Sequence, residues 1–196
     1  MVEIAHDITP PSYAAYLEFA CLTGARPSEL DALTWDRVRF EDDEVDLFEQ
    51  FNTKTRTFTD PKYGPYTIAL VSRARDVLLQ MPKQEIASPL VFVTNRGTHY
   101  TISSRTHHWN RVRSAAGLAN MSFYVATKHY FGWYALNVLE LAPHVIAEQF
   151  GHKDGGKLVI ETYGHPDQKL ARQRIREAFD ADANRGNLRL IQGQPR

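Results

Sequence analysis

The sequence has a single cysteine, Cys21, no internal repeat, no long charge-free apolar run and no excess of charge of either sign. One thiol excludes an intramolecular disulfide and any cysteine-rich metal cluster, and it suits a reducing compartment. Glu3, His6 and Asp7 interrupt the start, so nothing there reads as a secretion signal or a membrane anchor. These absences predict a soluble, cytoplasmic protein. Across 196 residues, 23 Lys plus Arg balance 23 Asp plus Glu, and a net charge of zero offers no overall footprint for a polyanion. What is present is ordinary for a globular chain: 43% hydrophobic residues, enough for a sizeable core.

The neutral total conceals a division along the chain. Residues 1–60 hold 5 basic and 13 acidic side chains, and residues 61–196 hold 18 basic and 10 acidic, a balance of −8 against +8. Such a division orients a molecule on a polyanion with its basic part inward, or simply makes two solvated faces.

Periodicity predicts a mainly α (α+β) chain. Ala14, Leu17, Ala20 and Cys21 recur at helical spacing over residues 11–23, with Gly24 as the stop. Pro27 suits the first turn of a second helix carrying Glu29, Leu30 and Leu33, ended by Trp35. Val38 to Phe51 reads as a hairpin and Tyr66 to Val71 as a further strand, giving a small antiparallel sheet of about three strands at one edge. Residues 52–65, rich in Thr, Pro, Gly and Lys, read as a loop. Helices are expected over 72–80, from Ser103 or Ser104 to Ala116, over 122–139, from Pro143 to Gly151, and over 167–182. The last dozen residues read as a tail.

Four polar clusters carry chemistry. In Thr23-Gly24-Ala25-Arg26-Pro27-Ser28-Glu29-Leu30, an arginine stands between a glycine turn and a helix start, where it can join free backbone donors in holding an oxyanion. The competing reading pairs Arg26 with Glu29 on the surface. Lys62, in Asp60-Pro61-Lys62-Tyr63-Gly64-Pro65, presents a point charge from a loop between strands, with Lys54 as the alternative. Lys128 and His129 stand early in an aromatic-rich helix, and Gly151-His152 is followed by Tyr163-Gly164-His165. Cations and neutral donors without a dense carboxylate group suit a phosphodiester whose charge the protein itself stabilises, which makes Tyr163 a candidate nucleophile.

In the order and spacing of these clusters, from about Ile8 to Arg176, the chain resembles the catalytic domain of the tyrosine recombinases, the phage-type integrases. Residues 23–30 resemble the first arginine box, Lys62 before Tyr66-Thr67-Ile68-Ala69-Leu70 the β-hairpin lysine, and Gly151-His152 the Gly-His box, with Tyr163 in the nucleophile's place. The resemblance implies catalytic roles for Arg26, Lys62, Lys128, His152 and Tyr163, with His129 and His165 as auxiliaries and neither cofactor nor metal. It implies a catalytic domain over 8–182 and a flexible tail over 183–196, without the DNA-clamping core-binding domain that usually precedes it. The implied partner is double-stranded DNA at the attachment sites of a phage or other mobile element, with Arg105, His107, His108, Arg111 and Arg113 as further contacts. A homotetramer linked through the C-terminal segment is implied for synapsis. Two positions depart from the family pattern: where His-x-x-Arg is usual, this chain has Val125-Ala126-Thr127-Lys128. Val125 cannot exchange a proton, and Lys128 lacks the planar fork that grips two phosphate oxygens. A degenerate, binding-only integrase and a type IB topoisomerase-like enzyme are the alternatives.

Overall fold

The computed structural model describes residues 1–82, 87–164 and 168–184. Two helices open the chain, α1 (Val2–Ile8) and α2 (Pro11–Thr23). Nearly every side chain of α2 is buried, including Tyr13, Tyr16, Leu17 and Phe19, so this helix forms the centre of the main core. Its one buried carboxylate, Glu18, accepts hydrogen bonds from His6 Nε2 at 2.9 Å and Arg73 Nε at 2.8 Å, which offsets the cost of taking its charge from water. Ala5 of α1 is fully buried in the same core. The core therefore takes in α1.

Gly24 ends α2 at φ 65°, a left-handed conformation open to glycine at little cost, and its N–H closes on the Ala20 carbonyl. Pro27 then opens α3 (Pro27–Leu30), as its fixed φ favours. The helix stops at Leu30, and Trp35 begins a separate 3₁₀ turn, Trp35–Arg37, that leads into the sheet.

Strands β1 (Val38–Arg39), β2 (Glu44–Leu47) and β5 (Tyr66–Ala69) form one antiparallel sheet in the order β1-β2-β5, pairing Val38 with Val45 and Val45 with Ile68. Those three side chains are buried in the same core as α2, and the sheet has the three strands expected. The span read as a loop holds a second ribbon, β3 (Gln50–Asn52) with β4 (Thr57–Thr59). Phe51 faces Phe58 across it, and Arg56 takes a positive φ of 57° in its turn. The period-2 signal of Thr57-Phe58-Thr59 is too short to stand out among turn residues.

The remaining chain is helical: α4 (Ser72–Leu79), α5 (Ile102–Ala115), a helix that begins as a π turn (Val125–His129) and continues as α6 (Tyr130–Asn137), then α7 (Pro143–Gln149), α8 (Lys157–Tyr163) and α9 (Gln168–Asn184). The cap of α5 is Thr101, whose hydroxyl accepts from the Ser104 N–H while the Ser104 hydroxyl accepts from the Thr101 N–H. Helix α8 is an addition to the sequence reading. Its start is set by Asp154, whose carboxylate accepts from the N–H groups of Gly156 and Leu158, with Gly156 at φ 96°. A second apolar cluster of Ala135, Ile146, Ala147, Phe150, Val159 and Tyr163 binds α6, α7 and α8 together. Among the described residues no helix is long and apolar enough to cross a membrane.

Candidate active site

Arg26 sits where α2 turns into α3, and its neighbour along the helix organises it. Glu29, fully buried, accepts from the Arg26 backbone N–H at 2.7 Å with one oxygen and from Arg26 Nη1 at 2.7 Å with the other. The Tyr66 hydroxyl donates to the same carboxylate at 2.9 Å. Arg26 does pair with Glu29, but in the interior rather than on the surface. Burial works against the guanidinium charge, and the Glu29 carboxylate outweighs it, holding the pKa above the ordinary arginine value. The other guanidinium nitrogen, Nη2, stands 3.5 Å from His152 Nε2.

Since arginine has no acceptor, His152 Nε2 is the acceptor in that contact and the imidazole proton resides on Nδ1. That Nδ1 is buried and has no hydrogen-bond partner among the described residues. Burial, followed by the charges of Lys128 and Arg26, pushes His152 down to about 4, so the ring is neutral at physiological pH. Around these two groups lies Tyr63, which sequence reasoning passed over. Its ring takes the Arg26 guanidinium at 5.1 Å, the Lys62 ammonium at 5.0 Å and the edge of His152 at 5.1 Å. Tyr63 thereby joins Lys62, on an exposed loop, to the Arg26–His152 pair. Lys54 lies exposed at the far turn of the β3–β4 ribbon.

Lys128 takes a different place from the one its register suggests. It is 1% exposed, and its Nζ donates to the Gly24 carbonyl at 3.0 Å and lies 3.5 Å from the centroid of the Phe150 ring. Burial and, secondarily, the Arg26 charge depress its pKa well below the ordinary lysine value, with Glu29 opposing. In this structure the ammonium underpins the Gly24 turn rather than facing outward. Its protonation then opposes folding: the penalty is absent above the ordinary lysine value, grows as pH falls through the window below it, and is complete at the depressed value. Lys128→Met is expected to stabilise the fold at neutral pH. Its advantage over the parent should shrink by up to about 1.4 kcal/mol per pH unit as pH rises through that window, read by denaturant titrations at several pH values.

Tyr163 ends α8 with its ring against Gly132 of α6, where an added Cβ would come within 2.6 Å. The ring also meets His129 edge-on at 5.4 Å and Phe150 at 6.0 Å. Burial and the nearby Tyr124 raise its pKa to about 12 against the pull of Arg26, so the phenol is protonated at rest. His129 is lowered by burial and by Lys128 and is neutral. Gly132→Ala is expected to cost about 1–3 kcal/mol of stability by overpacking this contact, checked by thermal denaturation.

The sequence-proposed nucleic-acid contacts on α5 separate into two groups. Arg105 is drawn inward, into an ion pair with buried Asp31, and reaches the Tyr16 hydroxyl. His108 is half-buried, with its ring 4.7 Å from Tyr13. His107 and Arg111 are exposed, and Arg113 is half-buried. An amphipathic helix sorts its residues by face, and a listing by sequence span mixes the two. His165 lies outside the described residues, as does the tail from residue 185. Among the described residues no group of three or more His, Cys, Asp or Glu is placed to hold a metal ion.

Comparison with solved structures finds the same fold. The Tn1549 transposon integrase in complex with transposon right end DNA matches with a TM-score of 0.68 at 18% identity, over 85% of this chain and 58% of that one. XerA recombinase matches with a TM-score of 0.66 at 16% identity, over 90% and 59%. A lambda integrase dimer bound to a COC′ core site matches with 0.54 at 17%, over 79% and 55%. The chain thus spans less than three-fifths of the length of each. No curated protein sequence matches it. The phage integrase family model matches residues 1–169, a span that takes in Arg26, Lys62, Lys128, His152 and Tyr163. With the recombinase catalytic fold and this match over most of its length, the chain belongs to the phage integrase family.

Proposed function

We propose that this chain is the catalytic part of a site-specific DNA recombinase that cuts and rejoins duplex DNA through a 3′-phosphotyrosyl intermediate. The observation that carries this reading is the meeting of Arg26, His152 and Lys62 around Tyr63, with the Arg26 charge acting on Tyr163. The arginine's acidic partner is internal and already saturated, so the outward charge is positive and suits a phosphate. In the proposed step the Tyr163 oxygen bonds to phosphorus and the bond to the 5′-oxygen breaks. Neutral His129, packed on the Tyr163 ring, accepts the phenolic proton, and Lys62 protonates the departing oxygen. Arg26 stabilises the non-bridging oxygens as charge builds, His152 positions it by accepting from its guanidinium through Nε2, and Lys128 keeps the Gly24 turn, and with it Arg26, in register. A 5′-hydroxyl from another strand reverses the step, because the phosphotyrosine keeps the bond energy.

The proposed partners are double-stranded DNA and, at synapsis, three further copies of the chain. Helix α9 supports the latter: it is fastened to the end of α6 through Arg174, which meets Glu140 at 3.1 Å, and it carries exposed Ile175 and Phe179. A binding-only function is the second reading, favoured by Val125 and by the burial of Lys128. The test is incubation with nicked duplexes carrying the attachment junctions of the encoding element. A covalent adduct whose phosphopeptide maps to Tyr163 is the expected result. Binding without an adduct at any salt concentration selects the second reading, and relaxation of plasmid without sequence preference selects a topoisomerase.

A further inference from the structure

Register places Val125 three residues before Lys128, where the family pattern has a histidine, yet the backbone there is a π turn spanning Val125–His129. A π turn holds one more residue than an α turn. Viewed from Lys128, that extra residue rotates every upstream side chain by about 100° around the axis. Val125 is carried away from Arg26: it is 43% exposed and lines an open apolar cavity of about 620 Å³ with Cys21, Met121, Tyr130 and Trp133. Tyr124 is carried the other way. Its ring meets His129 edge-on at 5.1 Å, the same imidazole that meets Tyr163 at 5.4 Å, and its phenol interacts electrostatically with Arg26, Glu29, Lys62, Tyr63 and Tyr163. Tyr124 is 38% exposed, and its hydroxyl makes no hydrogen bond among the described residues.

We propose that the Tyr124 hydroxyl, and not any side chain at position 125, donates a hydrogen bond to a non-bridging oxygen of the scissile phosphate, an assignment that rests on the recombinase reading. A phenol suits the task because it stays protonated at neutral pH and donates in one direction. Burial, Glu29 and Tyr63 raise its pKa while Arg26 and Lys62 lower it, with a net rise. Its aromatic body packs on His129 while the charges of Arg26 and Lys62, which would gather the phosphate, act on its phenol. No proton changes hands in this role: the bond tightens as charge develops on the phosphate oxygen, the condition under which a preorganised donor accelerates a reaction.

Three measurements test the assignment. Tyr124→Phe is expected to slow adduct formation about a hundredfold, with duplex affinity and Tm unchanged and the adduct still on Tyr163. On nicked duplexes in which one non-bridging oxygen is replaced by methyl, the defect should persist with one diastereomer and vanish with the other, whose missing oxygen is the one Tyr124 serves. Val125→His added to Tyr124→Phe should restore nothing, since position 125 opens into the apolar cavity. Equal rates for the parent and Tyr124→Phe, an equal defect on both diastereomers, or rescue by Val125→His each overturns the assignment while leaving the recombinase reading intact. Absence of an adduct with the parent chain overturns the recombinase reading, and this assignment with it.

Discussion

Tyr163→Phe is expected to eliminate the covalent DNA adduct and to leave the fold in place. The substitution removes one oxygen. That hydroxyl makes no hydrogen bond among the described residues, while the ring that packs on Gly132, His129 and Phe150 is retained. The change in stability should therefore stay within about 0.5 kcal/mol. Chemically the loss is complete, because phenylalanine offers no atom to bond to phosphorus. A denaturing gel of protein with nicked duplex reads the adduct, and a thermal melt with a gel-shift titration reads fold and binding. An adduct that persisted in Tyr163→Phe would place the nucleophile elsewhere, with Tyr124, the other phenol against His129, as the first residue to map.

Glu29→Ala is expected to produce the largest loss of stability of any substitution at the site, about 3–5 kcal/mol, or on the order of 10 °C in Tm for a chain of this size. The carboxylate is fully buried and serves the Arg26 backbone N–H, the Arg26 guanidinium and the Tyr66 hydroxyl. Its removal leaves a largely buried guanidinium without a counter-charge, a phenol without an acceptor and the start of α3 without its cap. Glu29→Gln keeps the volume and one acceptor, and should lose roughly half as much. Both are measured by denaturant unfolding. Cleavage should fall further than stability alone explains, because a guanidinium released from Glu29 no longer points at His152. If Glu29→Ala melts with the parent, the interior ion pair does not organise Arg26.

Parts of this architecture were legible before any coordinates. Gly24 stops α2 and Pro27 starts α3 because a left-handed φ and a fixed φ are properties of those residues wherever they stand. The sheet β1-β2-β5 was legible from its alternating apolar residues. Other features depend on distant partners. Arg105 looks like a surface cation along α5, and only Asp31, 74 residues away, draws it inward. Helix α8 follows from a single aspartate whose two oxygens cap it, a signal no longer than one residue. Tyr63 carries no motif, and its place among Lys62, Arg26 and His152 comes from the fold of the loop before β5.

The sequence by itself determined the family, the order of the site residues, the mainly helical class and the two departures at Val125 and Lys128, since all of these lie in residue type and spacing. The tertiary structure alone decided what those departures mean. Lys128 is turned under Gly24 and onto Phe150, and the π turn exchanges the directions of Val125 and Tyr124. The physical reason is that spacing fixes a residue's position along a helix, whereas its direction depends on the phase of the backbone hydrogen bonds. One extra residue in a turn leaves the sequence pattern untouched and moves every upstream side chain to a new face.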